Sequence, residues 1–250
     1  PNENRGAVTI DEERDYHFRY VLEDNFGNRR TYQFIVKGKR QDIPEYKPEA
    51  NEMLYWNRTN VIQKPGMELV VPRYYVYEDV PLRTDMRGDS SHIAFDYILD
   101  AGRTPIHSYC DLSIGLRHMP VADTTKYYIV QKAGKWRSSM GGKYANGWIK
   151  TRVRSLGTFS VDVDTIAPQI TPIGQGGWRT SRNIRFRIKD MESGIGSYKV
   201  YIDGKFVLFG LKKGILVIQN PEKVKKGVSH KLEVTVTDQC GNMTRKEYKF

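Results

Sequence analysis

Nowhere in the 250 residues is there a run of about 18 apolar side chains, and no stretch carries the three-and-four spacing of an amphipathic helix. The first absence excludes a membrane-spanning helix, and the second points away from helical folds. Cysteine is scarce. Cys110 and Cys240 stand 130 positions apart, form no C-x-x-C pair and fit neither a disulfide framework nor a zinc ribbon, so both are expected as free thiols. No G-x-S-x-G elbow surrounds any serine, which leaves a serine hydrolase without support. Gly174-Gln-Gly176-Gly177 and Gly141-Gly142 are too short to cradle phosphate, and neither opens a helix. The chain begins Pro1-Asn2-Glu3-Asn4 without an apolar signal core. That start reads as a cut end, with any export signal upstream of it.

What is present is enough for two to three small domains with real cores: 39% hydrophobic and 12% aromatic residues. The net charge of +11 is unevenly spread. From residue 166 onward there are 16 basic and 7 acidic residues, which leaves only +2 for the rest. A basic C-terminal third suits an anionic polymer nearby, although a solvated Lys-rich face needs no partner.

The apolar pattern has period two in Met67-Glu-Leu-Val-Val71, Ile184-Arg-Phe-Arg-Ile188 and Leu232-Glu-Val-Thr-Val236, the mark of strands with one buried face. Turn pairs such as Asp203-Gly204 and Gly241-Asn242 punctuate them, so the expected class is all-β, a tandem of sandwich modules. An internal repeat sharpens this. Phe18-Arg-Tyr-Val-Leu-Glu-Asp24-Asn-Phe-Gly27-Asn28 returns as Leu232-Glu-Val-Thr-Val-Thr-Asp238-Gln-Cys-Gly241-Asn242, each followed by an alternating strand. Both copies read as the last hairpin of an immunoglobulin-like sandwich.

Four segments follow from these patterns. Residues 1–40 hold the closing hairpin of a truncated β-module, 41–60 a linker with Pro44 and Pro48, 61–165 a middle β-sandwich, and 166–250 a C-terminal immunoglobulin-like domain. Asp164-Thr-Ile-Ala-Pro168-Gln-Ile-Thr-Pro172 reads as a second linker. Middle-module strands are expected near Met67–Val71, 111–116, 126–131, 148–153 and 158–163, and six or seven strands in the last module.

The string Asp164-Thr-Ile-Ala-Pro168, then Asp190-Met-Glu-Ser193-Gly194-Ile195, Asp203-Gly204 and Asp238-Gln-Cys-Gly241-Asn242 resembles bacterial immunoglobulin-like domains. The order of modules resembles the C-terminal accessory region of lysostaphin/LytM-type zinc metallopeptidases, peptidase family M-twenty-three, as built in Bacteroidota. This resemblance implies a parent peptidoglycan endopeptidase whose catalytic domain lies upstream, with one zinc ion held by two His and one Asp. It also implies export to the periplasm or cell surface. Peptidoglycan or another anionic envelope polymer is then the expected partner, and nucleic acid is not.

The family's ligand pattern is H-x-x-x-D followed by H-x-H. His92-Ile-Ala-Phe-Asp96 matches the first half. The other histidines, His17, His107, His118 and His230, form no H-x-H, so the ligand set is incomplete and no catalytic or metal residue is carried over. His92 and Asp96 stay as the candidate pair, and no cofactor is expected in this chain beyond the zinc implied for the parent domain.

Other constellations have plainer readings. His107, Cys110 and His118 match no standard metal spacing, and Asp162, Asp164, Asp190, Glu192 and Asp203 sit near turns without a D-x-D-x-D-G calcium loop. Trp136, Tyr144, Trp148 and Trp178 lie in stretches where rings could stack on sugars, though aromatic residues of all-β chains usually belong to sheet and core. Tyr127-Tyr128 and Tyr74-Tyr75-Val-Tyr77 are expected to alternate inside and outside. The basic set Lys212, Lys213, Lys223, Lys225, Lys226 and Lys231 flanks an expected hairpin at Gly214 to Gln219 and could form one anion-binding patch. The expected function is therefore a non-catalytic region that positions an upstream peptidase. The alternative is an independent surface protein that binds an anionic glycan or a protein partner.

Overall fold

The computed structural model describes residues 8–40 and 49–250, and the chain divides into two compact units between Lys47 and Pro48. It is all-β, with antiparallel sheets throughout.

The first unit is a hairpin of β1 (Asp15–Glu23) and β2 (Arg29–Lys37), paired in the register Phe18↔Phe34 and Tyr20↔Tyr32. Its turn is set by Asp24. One carboxylate oxygen accepts the amides of Phe26 and Asn28, the other accepts the Asn28 side chain, and Gly27 takes φ +81°, which only glycine adopts freely.

The second unit begins with a sandwich of eleven strands. They are β3 (Glu52–Leu54), β4 (Asn60–Lys64), β5 (Met67–Val71), β6 (Val80–Arg87), β7 (Asp96–Asp100), β8 (Cys110–Gly115), β9 (Tyr127–Ala133), β10 (Trp136–Ser139), β11 (Lys143–Ala145), β12 (Trp148–Val153) and β13 (Gly157–Val163). One sheet runs β10-β9-β13-β7-β6-β3 and the other β11-β12-β8-β5-β4. Strict alternation drives the packing: Met67, Leu69 and Val71 point inward from β5 to meet Leu112 and Ile114 from β8, with Leu54, Leu82, Leu99 and Phe159 from the facing sheet. The linker expected over 41–60 lies outside the described residues as far as Pro48. Beyond it Glu52–Leu54 is already a strand, held by pairing with β6, and Asn60 caps the entry to β4 by bonding the Tyr55 amide and carbonyl.

The last sandwich follows at once. It contains β14 (Gln169–Ile173), a single helical turn α1 (Trp178–Ser181), β15 (Arg185–Lys189), β16 (Ile195–Ile202), β17 (Lys205–Phe206), β18 (Phe209–Lys212), β19 (Ile215–Ile218), β20 (Lys231–Asp238) and β21 (Met243–Lys249). The sheets run β14-β15-β19-β18 and β17-β16-β20-β21. With the strands lettered in chain order this is A-B-E-D against C′-C-F-G, the immunoglobulin arrangement. Trp178 from the A–B connection fills the core, edge-on to Phe186, Tyr248 and Phe250, and its indole N–H donates to the Ile173 carbonyl at 2.9 Å.

Two expectations are corrected here. The second linker is shorter than 164–172, because Gln169–Ile173 pairs with β15 as a strand. Gly214 to Gln219 is not a hairpin by itself: Ile215–Ile218 is one strand, and its hairpin partner is β18 across the Lys213-Gly214 turn.

The repeat seen in the sequence is reproduced bond for bond. Asp238 Oδ1 accepts the Cys240 and Asn242 amides, its Oδ2 accepts the Asn242 side chain, and Gly241 takes φ +79°. Phe18, Tyr20 and Leu22 thus correspond to Leu232, Val234 and Val236, which are fully buried, whereas Tyr20 and Leu22 are 55% and 58% exposed.

Candidate functional site

Two places in the second unit concentrate polar chemistry. The first is the joint between its sandwiches. Strand β9 is buried on both faces: Tyr127 and Ile129 point into the middle core, while Tyr128 and Val130 pack against Cys240 of the last sandwich. The expected outward Tyr128 ring is therefore covered, because the turn between β20 and β21 sits on it.

Around that apolar contact lies a hydrogen-bonded frame. Asp164, just after β13, is 1% exposed, and its Oδ2 accepts the Ser193 amide at 3.0 Å and hydroxyl at 2.5 Å. Its Oδ1 accepts the Ile166 amide, and its backbone carbonyl accepts the Asn242 side chain at 3.0 Å. Lys126 donates to the Cys240 carbonyl at 3.0 Å and Tyr128 to Glu192 at 3.4 Å. The motif residues Asp164, Ser193, Asp238 and Asn242 are thus neighbours in one joint.

Asp164, Asp190 and Asp238 bring carboxylate oxygens within 4.8 Å of one another. Hard cations favour such oxygen sets. These carboxylates also accept hydrogen bonds within the joint: Asp190 Oδ2 accepts the Glu192 and Gly194 amides, and Asp238 closes its turn. Burial pushes the Asp238 carboxyl above the ordinary carboxylate range against the Asn242 bonds, and the Asp164 charge adds to the rise. Of the other acids named from the sequence, Asp162 pairs with Arg137 and Asp203 lies at the far end of the domain.

That far end is the second place. The Asp203-Gly204 turn has φ of +50° and +76°, the mirror-image turn a two-residue hairpin needs, and it carries Asp203 toward His230. His230 Nδ1 lies 2.6 Å from Asp203 Oδ2 and Nε2 2.8 Å from the Lys225 carbonyl, so the doubly protonated ring satisfies both acceptors. Burial works against that charge, but the Asp203 carboxylate and the Lys225 carbonyl prevail and the imidazole is raised above its ordinary value. The same bond, with the Lys231 amide, holds the Asp203 carboxyl low. Beside this pair opens a cavity of about 710 Å³, with Ile202 and Val224 in its buried floor, Phe206, Leu208 and Val228 on its exposed walls, and Lys205, Lys223 and Lys225 among its lining.

The six lysines singled out from the sequence are divided by the fold. Lys223 and Lys225 line this cavity, and Lys231 starts β20 nearby, paired with Glu247 at 3.0 Å. Lys212 and Lys213 sit at the β18–β19 turn, where Gly214 bonds Ile188 near the joint. Strand β20 spans from one end to the other, roughly 23 Å at the usual rise per residue. Lys226 is exposed and adjoins Lys225.

The remaining residues named from the sequence are scattered. His92 pairs with Asp89 at 2.9 Å in an exposed loop, where the Ser91 hydroxyl and amide, then His92, hold the Asp89 carboxyl down at about 2. Asp96 pairs instead with Lys132 at 2.6 Å. Among the described residues neither belongs to a group of three metal-ligating side chains. His107 meets the Tyr77 hydroxyl, His118 is exposed, and burial pushes the Cys110 and Cys240 thiols up to about 11, the second against a Ser193 hydrogen bond. Both cysteines are free. Of the aromatic candidates Trp178 is core, Trp148 is partly covered, and Tyr144 and Trp136 are exposed on edge strands, Trp136 to 81%. Tyr74 and Tyr77 are exposed on a loop around buried Val76, so that run is not a strand.

Sequence reasoning did not find the cavity. Asp203, Lys205 and Phe206 come from one hairpin and Val224, Val228 and His230 from the connection between β19 and β20, and no spacing in the sequence links the two segments. The Asp203-Gly204 turn and two of the lysines singled out from the sequence, Lys223 and Lys225, were the visible signals.

Residues 51–164 match the Zu5-like domain family. The limits coincide with the middle sandwich, from just before β3 to just after β13. A search among curated proteins finds no match to the chain.

Proposed function

We propose that this chain is a non-catalytic positioning region of an exported cell-envelope zinc metallopeptidase that cuts peptidoglycan, its catalytic domain lying upstream. The observation that carries this reading is the joint. Two sandwiches that meet through buried Asp164, Ser193, Tyr128 and Cys240, with Lys126 and Asn242 bonded across, have no free hinge, as a spacer of fixed length requires. The β1–β2 hairpin supports the same reading. Its apolar face matches the core face of the last sandwich, as expected of the closing hairpin of a further immunoglobulin-like module whose facing sheet would cover Phe18, Tyr20 and Leu22. His92, His107 and His230 bond residues of loops and turns, and in this reading the zinc chemistry belongs to the parent domain.

The test is to sequence the parent reading frame upstream of Pro1. An export signal followed by H-x-x-x-D and H-x-H in a strand-rich domain is the expected result. A start codon only a few dozen residues upstream would overturn the reading and leave an independent surface-binding protein.

A further inference from the structure

The cavity at the far end of the last sandwich has an unbalanced lining. Lys205, Lys223 and Lys225 have no carboxylate within ion-pair distance among the described residues. The one acid in the lining, Asp203, is committed to His230 and to the Lys231 amide. The unpaired charge of the cavity is therefore positive. Beside these charges and the polar Asn220 and Ser229, much of its wall is apolar. Phe206 is 62% exposed, Leu208 55% and Val228 43%, and they surround a floor of Ile202 and Val224 that water cannot satisfy.

Each half of this lining excludes a class of ligand. A small inorganic anion would meet the ammonium groups and leave the apolar walls wet. A neutral hydrocarbon would fill the walls and leave three cations unmatched. A molecule with an anionic head and an apolar tail satisfies both, and about 710 Å³ is within the range of small-molecule sites. The walls are also held in place. The His230 ring packs tilted against Phe250 at 5.3 Å, and both its ring nitrogens are bonded, so the loop at Lys225 is anchored beside the cavity. On the other side the Val207 amide bonds the Val200 carbonyl, and the Leu208 carbonyl accepts the Gln219 amide.

We propose that this cavity binds a single-chain anionic amphiphile, an acyl carboxylate or phosphate, with its head at Lys205, Lys223 and Lys225 and its tail against Phe206, Leu208 and Val228. The site is separate from the joint and does not depend on the positioning role. The two readings therefore fail independently.

The test is calorimetric titration of the full chain with monomeric dodecanoate, compared with dodecylammonium and inorganic phosphate. Saturable one-to-one binding of dodecanoate alone is expected. Lys223→Gln/Lys225→Gln should weaken it about tenfold or more, since two charge-assisted contacts are lost. Phe206→Ser should weaken it by a similar factor through the tail. Both sets of residues are exposed, and thermal melts check that the variants stay folded. No dodecanoate binding, equal binding of phosphate, or affinity unchanged in both variants would overturn the proposal. Phosphatidylglycerol/phosphatidylcholine vesicles give the source of the ligand. Capture that competes with dodecanoate identifies a bilayer lipid, and dodecanoate binding without capture identifies a free amphiphile.

Discussion

Replacing Asp164 with alanine isolates the joint. The carboxylate is buried and accepts three donors: the Ser193 amide, the Ser193 hydroxyl and the Ile166 amide. Ser193 is itself 0% exposed, so its two donors cannot turn to water when the carboxylate is gone. Each buried donor left without a partner costs about 1–3 kcal/mol. Relief of repulsion toward Asp238 offsets part of that, since the two carboxylates lie together and the Asp164 charge raises Asp238. The net expectation is a loss of about 3–5 kcal/mol. Ser193→Ala removes one donor and leaves the amide bond in place, so it should cost only about 1 kcal/mol. Urea unfolding of the full chain gives the energies, and hydrogen exchange at the Ser193 and Ile166 amides shows whether the loss is local to the joint. If Asp164→Ala costs less than about 0.5 kcal/mol, as a surface change would, the carboxylate is not holding the joint and the reasoning fails.

Three further changes test the last sandwich. The Tyr248 hydroxyl is buried without a hydrogen-bond partner, so Tyr248→Phe should stabilise the chain by about 1 kcal/mol in the same unfolding experiment. Trp178→Ala should cost about 3–5 kcal/mol by opening a cavity among Phe186, Tyr248 and Phe250. The His230–Asp203 pair makes stability depend on pH. Because His230 is raised in the fold, its contribution is complete below the ordinary histidine value of about 6.5 and is lost as pH rises through the higher folded value. Asp203 is lowered, so its own contribution persists until pH falls through that depressed value. The Tm deficit of Asp203→Asn should therefore be larger near about pH 5.5 than near about pH 9. An equal deficit at both would show that the imidazole is not charged by this pair.

The fold class was readable because period two is a direct consequence of the pleat. Met67, Leu69 and Val71, or Leu232, Val234 and Val236, leave no other way to bury one face. The D-x-x-G-N turns were equally legible, since Asp24 and Asp238 act on their own neighbours and need no tertiary context. Short edge strands were not. Glu52–Leu54, Trp136–Ser139 and Lys143–Ala145 carry too few residues for a pattern, and pairing with longer neighbours makes them strands. The joint was half visible. Its motif residues stood out as turn formers, but nothing local said that Asp164 would reach Ser193 or that the outer face of β9 would be covered. The unbroken apolar run Tyr127-Tyr-Ile-Val130 was the signal for that, because a strand with one wet face alternates. The lysine patch shows the opposite failure. Residues close in sequence terms were divided between two ends of a sandwich, because strand direction, and not charge, sets where loops fall.

Locked at Asp164, Ser193, Tyr128 and Cys240, the two sandwiches of residues 49–250 are expected to move as one body. Residual dipolar couplings of the full chain, aligned weakly in solution, test it directly. One alignment tensor fitting the amides of the middle and last sandwiches together is the expected result. Two tensors of different magnitude or orientation would mean that the sandwiches turn independently, and the fixed-spacer reading would be contradicted.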